Sequence, residues 1–284
     1  MTLGTTIKKK RSTLGLTQKQ LAEGICTQSQ ISKIEKDEVV PLANLLYDIS
    51  KRLNTSIDVL MGDMSINSNE ITIQKQIHKL LLQRNYNEIA VFIKTIDKSN
   101  WSYQGEVFLE WIEIIINIKL KSEIAINKLL SLYETNINFI DNELKANILN
   151  SIGIAYKQEK NYEQAKEYFL LAKSTLTQDA FNEDLKLKIL YNLSNILFEL
   201  KEWKNLYENC LEAINFSYEF NSMIVLPELI YSKNYSIFNS SFSQDFIDFE
   251  ELNIALYLSK KQNKTEVYNL LNNLLTNINN RSDT

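Results

Sequence analysis

Four polar side chains share one side of a short helix that starts at Gln28: Gln28, Ser29, Ser32 and Lys33. A glutamine amide matches the major-groove edge of adenine, a serine hydroxyl donates or accepts, and a lysine reaches guanine or phosphate. Polar, mostly short side chains in the first turn of a helix suit the reading of base edges. Chemistry that makes or breaks bonds finds little support. The one histidine, His78, sits on a helix beside Gln76 and Lys79 with no nucleophile or carboxylate motif next to it. There is no glycine-rich phosphate loop and no Cys/His cluster to hold a metal. Cys26 and Cys210 lie far apart and read as structural thiols of a reducing cytoplasm. The acidic residues spread along helix faces as solvated charge. No catalytic residue, metal or cofactor is expected.

The element that positions the polar face is opened by a capping box, Thr27 to Gln30, in which threonine and glutamine satisfy free amides of the first turn. Thr17 to Gln20 repeats the signal for the preceding helix, Gln18 to Glu23, and Gly24 supplies the turn. Two capped helices joined by a tight turn, with the small Ala22 where they cross, make a helix-turn-helix. An earlier helix should turn Leu3, Ile7 and Leu14 inward, carry Lys8, Lys9, Lys10 and Arg11 outside, and stop at Gly15. A fourth helix is expected from Pro41 to Leu53 with Leu45, Ile49 and Leu53 inward. A fifth carries Ile57, Leu60 and Met61 up to Gly62, and Asp63 to Glu70 reads as a polar connector. Residues 1–62 hold a net charge of +3, whereas the whole chain is at −4. A small basic head on an acidic body fits a DNA-binding domain joined to one of another kind.

From residue 70 the chain reads as repeats. Leu149 to Ala172, "LNSIGIAYKQEKNYEQAKEYFLLA", has the spacing of a tetratricopeptide repeat, with Ile152-Gly153, Tyr156, Tyr162, Ala165, Phe169 and Ala172 at the packing positions. A shift of 41 finds Leu190, Leu193-Ser194, Leu197, Trp203, Leu206, Cys210 and Ala213. Weaker copies begin at Leu109 and Ile73, and Trp101, Trp111 and Trp203 read as repeat packing. One or two further helix pairs should follow Asn221, ending in a cap over Glu266 to Ile278. With only 6 Gly and 2 Pro, the fold class is all-α: a five-helix helix-turn-helix domain (1–65) followed by a right-handed α-solenoid (66–284). The groove of such a solenoid binds extended peptides or partner helices. Asn150, Ile154, Asn192, Asn195, Lys233 and Asn234 are expected along it, asparagine amides being matched to a peptide backbone.

The stretch "GLTQKQLAEGICTQSQISKIE" (Gly15 to Glu35) resembles the lambda-repressor/Cro helix-turn-helix, in particular its peptide-regulated branch, the PlcR, Rgg, PrgX and NprR regulators. "YNLSNILFELKEW" and "EFNSM" are similar to the PlcR-type repeat domain, so the resemblance covers most of the chain. It implies that Gln18 bonds a phosphate, that Gln28, Ser29 and Lys33 face bases, and that Ser32 meets the backbone. The DNA-facing set is then Gln18, Thr27, Gln28, Ser29, Ser32 and Lys33. It also implies an Arg11–Glu35 lock between the first and third helices, and five repeats. Lys36-Asp37 stands where the wider family carries glycine. Of the basic residues near the first repeat, Arg84 is the one matched, and Ile154 replaces a peptide-gripping asparagine. The expected partners are double-stranded DNA with an inverted-repeat operator, a short linear signalling peptide of the quorum-sensing type, and a second copy of the chain. No membrane contact is expected, and the location is cytoplasmic. An orphan regulator without a ligand, or an interaction module whose repeats bind a partner protein, stays open.

Overall fold

The structure is a computed structural model, and it describes residues 2–55, 57–60, 68–97, 101–121, 125–176, 182–240 and 246–282. The regular structure of these residues is helical, without strands. The chain divides into two compact units, 1–106 and 107–284. The expected boundary at 65/66, with Met61, Gly62 and most of the polar connector, lies outside the described residues.

The first unit opens with α1 (Leu3–Thr13), α2 (Gln18–Ala22), α3 (Gln28–Glu35), α4 (Ala43–Arg52) and α5 (Ile57–Leu60). They enclose a core of Ile7, Leu21, Ala22, Ile31, Ile34, Leu46, Ile49, Leu53 and Leu60. The first helix ends a residue before Leu14, which is 49% exposed rather than inward, because it serves as the C-cap. The helix α4 starts at Ala43, two residues later than Pro41 suggested; its buried stripe is Leu46, Ile49, Ser50 and Leu53, and Leu45, one residue off that stripe, packs only partly. Asp37 takes the left-handed conformation, φ 58°, where the wider family has glycine. An aspartate tolerates it, and its carboxylate accepts a 2.8 Å bond from the Gly4 amide. A side chain on Gly4 would meet the Ile34 carbonyl at 2.1 Å, so α1 and the end of α3 lie in close backbone contact. This unit also holds α6 (Ser68–Leu82), α7 (Tyr86–Phe92), a short 3-10 turn, and the start of α8 (Tyr103–Lys121).

The second unit continues α8 and adds α9 (Ile126–Asn136), α10 (Asn142–Gln158), α11 (Tyr162–Thr175), α12 (Glu183–Glu199), α13 (Trp203–Glu219), α14 (Leu226–Phe238), α15 (Phe249–Lys261) and α16 (Thr265–Ser282). From α9 on, each helix packs on the next, and α12 also touches α10 and α14. That is the packing of stacked helix pairs, in which contacts stay with near neighbours. Asp141, Asn161, Asn182 and Asp248 each accept a first-turn amide as N-cap. The turns use left-handed Lys160, Lys201, Asn221 and Asn263 instead of glycine. This is how a chain with 6 glycines makes so many reversals. The repeat spacing is borne out in the packing: Leu149, Ile152, Ala165, Phe169 and Ala172 are buried, as are Leu190, Leu193, Leu197, Leu206, Cys210 and Ala213. Gly153 is required here, because a side chain would meet the Phe169 ring at 2.7 Å. Among the described residues three helices follow Asn221, the last of which reaches four residues beyond the expected cap.

Candidate nucleic-acid interface and repeat groove

Both capping boxes form completely. The amide of Gln20 bonds the Thr17 hydroxyl at 3.2 Å, and the Gln20 side chain accepts from the Thr17 amide at 2.8 Å. Thr27 and Gln30 repeat the exchange at 3.2 Å in both directions. Arg52 reaches from the end of α4 to the carbonyls of Gln20 and Glu23, at 2.9 Å each, and so satisfies the end of α2. With its ends fixed and Ile31 and Ile34 buried, α3 leaves Thr27, Gln28, Ser29 and Lys33 exposed and Ser32 half-buried. These five side chains come together on one surface.

Beneath that surface lies the Arg11–Glu35 pair. The guanidinium donates to the two carboxylate oxygens at 2.5 and 3.0 Å, and its third contact, at 2.6 Å, is the Leu16 carbonyl. Gln18 donates to the same carboxylate at 2.9 Å, and its own oxygen accepts from Gln28 at 3.4 Å. Gln18 is therefore engaged by the protein's own groups, and it links the buried pair to the exposed face. Burial by itself would raise the Glu35 pKa, but the bonds from Arg11 and Gln18 and the charges of Arg11 and Lys8 outweigh it and hold the carboxyl below its usual range.

In the second unit, Asn192 on α12 donates to the Asn150 side chain on α10 at 2.8 Å. Asn150 is buried, Asn192, Asn195 and Ile154 are half-buried, and burial lowers the pKa of Lys157 near the end of α10 against the opposing charge of Glu199 of α12. One turn beyond Asn195, Phe198 begins a cluster with Trp203, Tyr231 and Tyr235, with ring centroids 5.0–6.3 Å apart. Burial, then Tyr235, pushes the Tyr231 hydroxyl up to about 12.

Lys233, expected along the groove, is largely enclosed. It is 6% exposed and ion-paired with Glu251 of α15. A shift of 40 from α12 to α14 aligns Leu193 with Lys233 and Ser194 with the buried Asn234, so both are interhelix packing positions. Ser232, half-buried and missed by sequence reasoning, takes the place that corresponds to Asn192. Arg84 lies in the first unit, exposed and left-handed (φ 56°), after α6. Among the described residues no group of acidic, His and Cys side chains is arranged to hold a metal, and no helix is long and apolar enough to cross a membrane.

A helix-turn-helix with an outward polar face, joined in one chain to stacked helix pairs, is the domain plan that these two units define. Residues 7–60 match the helix-turn-helix family, and residues 74–279 match the family described as the RNPP family C-terminal domain. The chain belongs to the RNPP family. Bacillus thuringiensis PlcR, solved in complex with the peptide PapR7 and DNA, is similar at 25% identity, with 95% of this chain and 98% of that one covered and a TM-score of 0.59. Its apo form gives 21% identity over the same shares and a TM-score of 0.60, a likeness of fold. The transcriptional activator NprA of Geobacillus stearothermophilus is 25% identical over 170 residues, 57% of this chain. The chain spans 40% of the length of that curated relative.

Proposed function

We infer that the protein is a cytoplasmic DNA-binding transcription regulator, not an enzyme, whose helical repeats take up a short linear signalling peptide. The observation that carries this reading is the exposed set Thr27, Gln28, Ser29 and Lys33 on a helix held by two complete capping boxes. Side chains so placed read base edges, while Gln18 turns to a phosphate. The relative solved with both DNA and a peptide supports the pairing of the two ligands. Residues 1–65 serve as the DNA-binding domain, and 66–284 as the regulatory and dimerisation domain. Asn150, Asn192 and Asn195 meet the peptide backbone, and Arg84 contributes charge as the family resemblance implies. A homodimer sets two α3 helices in successive major grooves, about 34 Å apart. The peptide acts through its unequal affinity for two dimer geometries.

The test is binding-site selection with the purified chain at stated salt, with and without synthetic peptides. An inverted repeat with half-sites one turn apart, tightened or retuned by a peptide, is the expected result. A repeat indifferent to all peptides removes the sensor and leaves an orphan regulator. No selected sequence removes the DNA-binding reading.

A further inference from the structure

The hydrogen bonds that begin at the buried Arg11–Glu35 pair have a direction. Arg11 donates through Nε and Nη2 to the two oxygens of Glu35 and so fixes the carboxylate in place. A carboxylate only accepts, so the neighbouring Gln18 must turn its amide nitrogen to it, as it does at 2.9 Å. The Gln18 oxygen is then left for a donor, and the Gln28 nitrogen meets it at 3.4 Å. Reversing either amide alone sets oxygen against oxygen. Gln18 is half-buried and Gln28 exposed, so a carboxylate that is itself buried dictates amide orientation out at the surface of α3. What Gln28 has left is one N–H and its carbonyl oxygen, a donor beside an acceptor. Adenine offers the complement in the major groove, an N7 acceptor and an N6 donor, whereas guanine offers two acceptors, N7 and O6. A glutamine with both N–H groups to spend could donate to both; Gln28 has one.

We propose that Glu35 is a positioning residue for base recognition: through Gln18 it sets the Gln28 amide to take adenine and to reject guanine. The proposal rests on the DNA-binding reading and adds the group that orients the reader. Glu35 itself touches no base, and Gln18 keeps its second N–H for a phosphate. A contact that ties α1 to α3 for stability thus also serves specificity.

The experiment uses the full-length chain and the operator recovered by site selection. Gln28→Ala marks the base pair that Gln28 reads. Competition binding then compares the operator with its A·T-to-G·C exchange at that pair, on wild type, Glu35→Gln, Gln18→Ala and the double variant of the last two. Wild type should prefer A·T about tenfold or more. Glu35→Gln, whose amide can face Gln18 with either end, should lose about threefold or more of that preference and none of the preference at other base pairs. Gln18→Ala should lose a similar factor, and adding Glu35→Gln to it should change the preference no further. Circular dichroism checks that each variant is folded. Where Glu35→Gln is not, Arg11→Met with Glu35→Leu serves in its place, since it too lacks the acceptor and strands no charge. A Glu35→Gln protein that binds both DNAs more weakly by the same factor, its preference intact, overturns the positioning role and leaves the DNA-binding reading standing. So does a wild-type preference for G·C, or a Gln28→Ala protein that relaxes no position. A chain that selects no sequence overturns both.

Discussion

Glu35, on the last turn of α3, is held by Arg11 of α1 through two hydrogen bonds of 2.5 and 3.0 Å, with the carboxylate side chain 2% exposed. A carboxylate so enclosed is stable only with its partner, because an unpaired buried charge is far costlier than a missing pair. Arg11→Ala should therefore lower unfolding stability by about 3 kcal/mol, and Arg11→Met with Glu35→Leu by clearly less. Urea unfolding followed by circular dichroism measures both; equal losses in the single and double variants would remove the charge argument.

The same pair sets an acid limit. The folded Glu35 pKa lies below its ordinary value, so its contribution is full above about pH 4.3 and is lost as pH falls through the folded value. In a pH series of urea midpoints, wild type should lose more between pH 6 and 3 than Glu35→Gln. Parallel curves would contradict the assignment.

On the exposed face, Gln28→Ala should cost about 1–3 kcal/mol on the selected operator and relax one base position. Lys33→Ala should do likewise if it reads guanine, and should act evenly across sequences if it meets phosphate. Competition binding against single-base variants of the operator separates these outcomes. Undiminished affinity and selectivity in Gln28→Ala would take Gln28 off the reading face.

Lys233 is predicted to matter for folding and not for ligand. Lys233→Met strands Glu251 between α14 and α15 and should lower stability by about 3 kcal/mol. Peptide affinity of the folded variant should be unchanged, whereas Asn192→Ala should weaken it. A Lys233→Met protein of wild-type stability with impaired peptide binding would restore Lys233 to the groove.

The burial of Lys233 shows where the sequence stops being informative. The capping boxes at Thr17 and Thr27 are local, with donor and acceptor three residues apart, and both were readable. The packing positions from Leu149 to Ala213 were readable too, because small and apolar residues recur at a fixed spacing. The step into α14 is 40 residues instead of 41, and one residue of slip moves a side chain to a different helix face. A lysine at a packing position looks like a surface residue until Glu251, eighteen residues on, is seen beside it. Leu14 failed for a smaller reason: the end of a helix is set by its cap, and hydrophobicity alone placed it inside. The link from Glu35 through Gln18 to Gln28 joins α2 to α3 by side-chain geometry that no spacing encodes.

The left-handed lysines offer a stability test. An L-residue in that conformation costs about 1–2 kcal/mol relative to glycine in strain, partly offset by glycine's greater freedom when unfolded. Lys160→Gly and Lys201→Gly should each raise the unfolding free energy by about 0.5 kcal/mol. A lowered urea midpoint in both would show that their side chains hold the turn by other means.

The nearest-neighbour packing of α9 to α16 also bears on how such a receptor changes over time. Each helix packs only on near neighbours, so a substitution in α12 is absorbed within α10 to α14 and leaves the remote helices undisturbed. Ile154, standing where the family resemblance implies an asparagine, can thus be accepted singly. A lineage can exchange one signal for another by piecemeal replacement, without passing through an unfolded intermediate and without altering the face of α3.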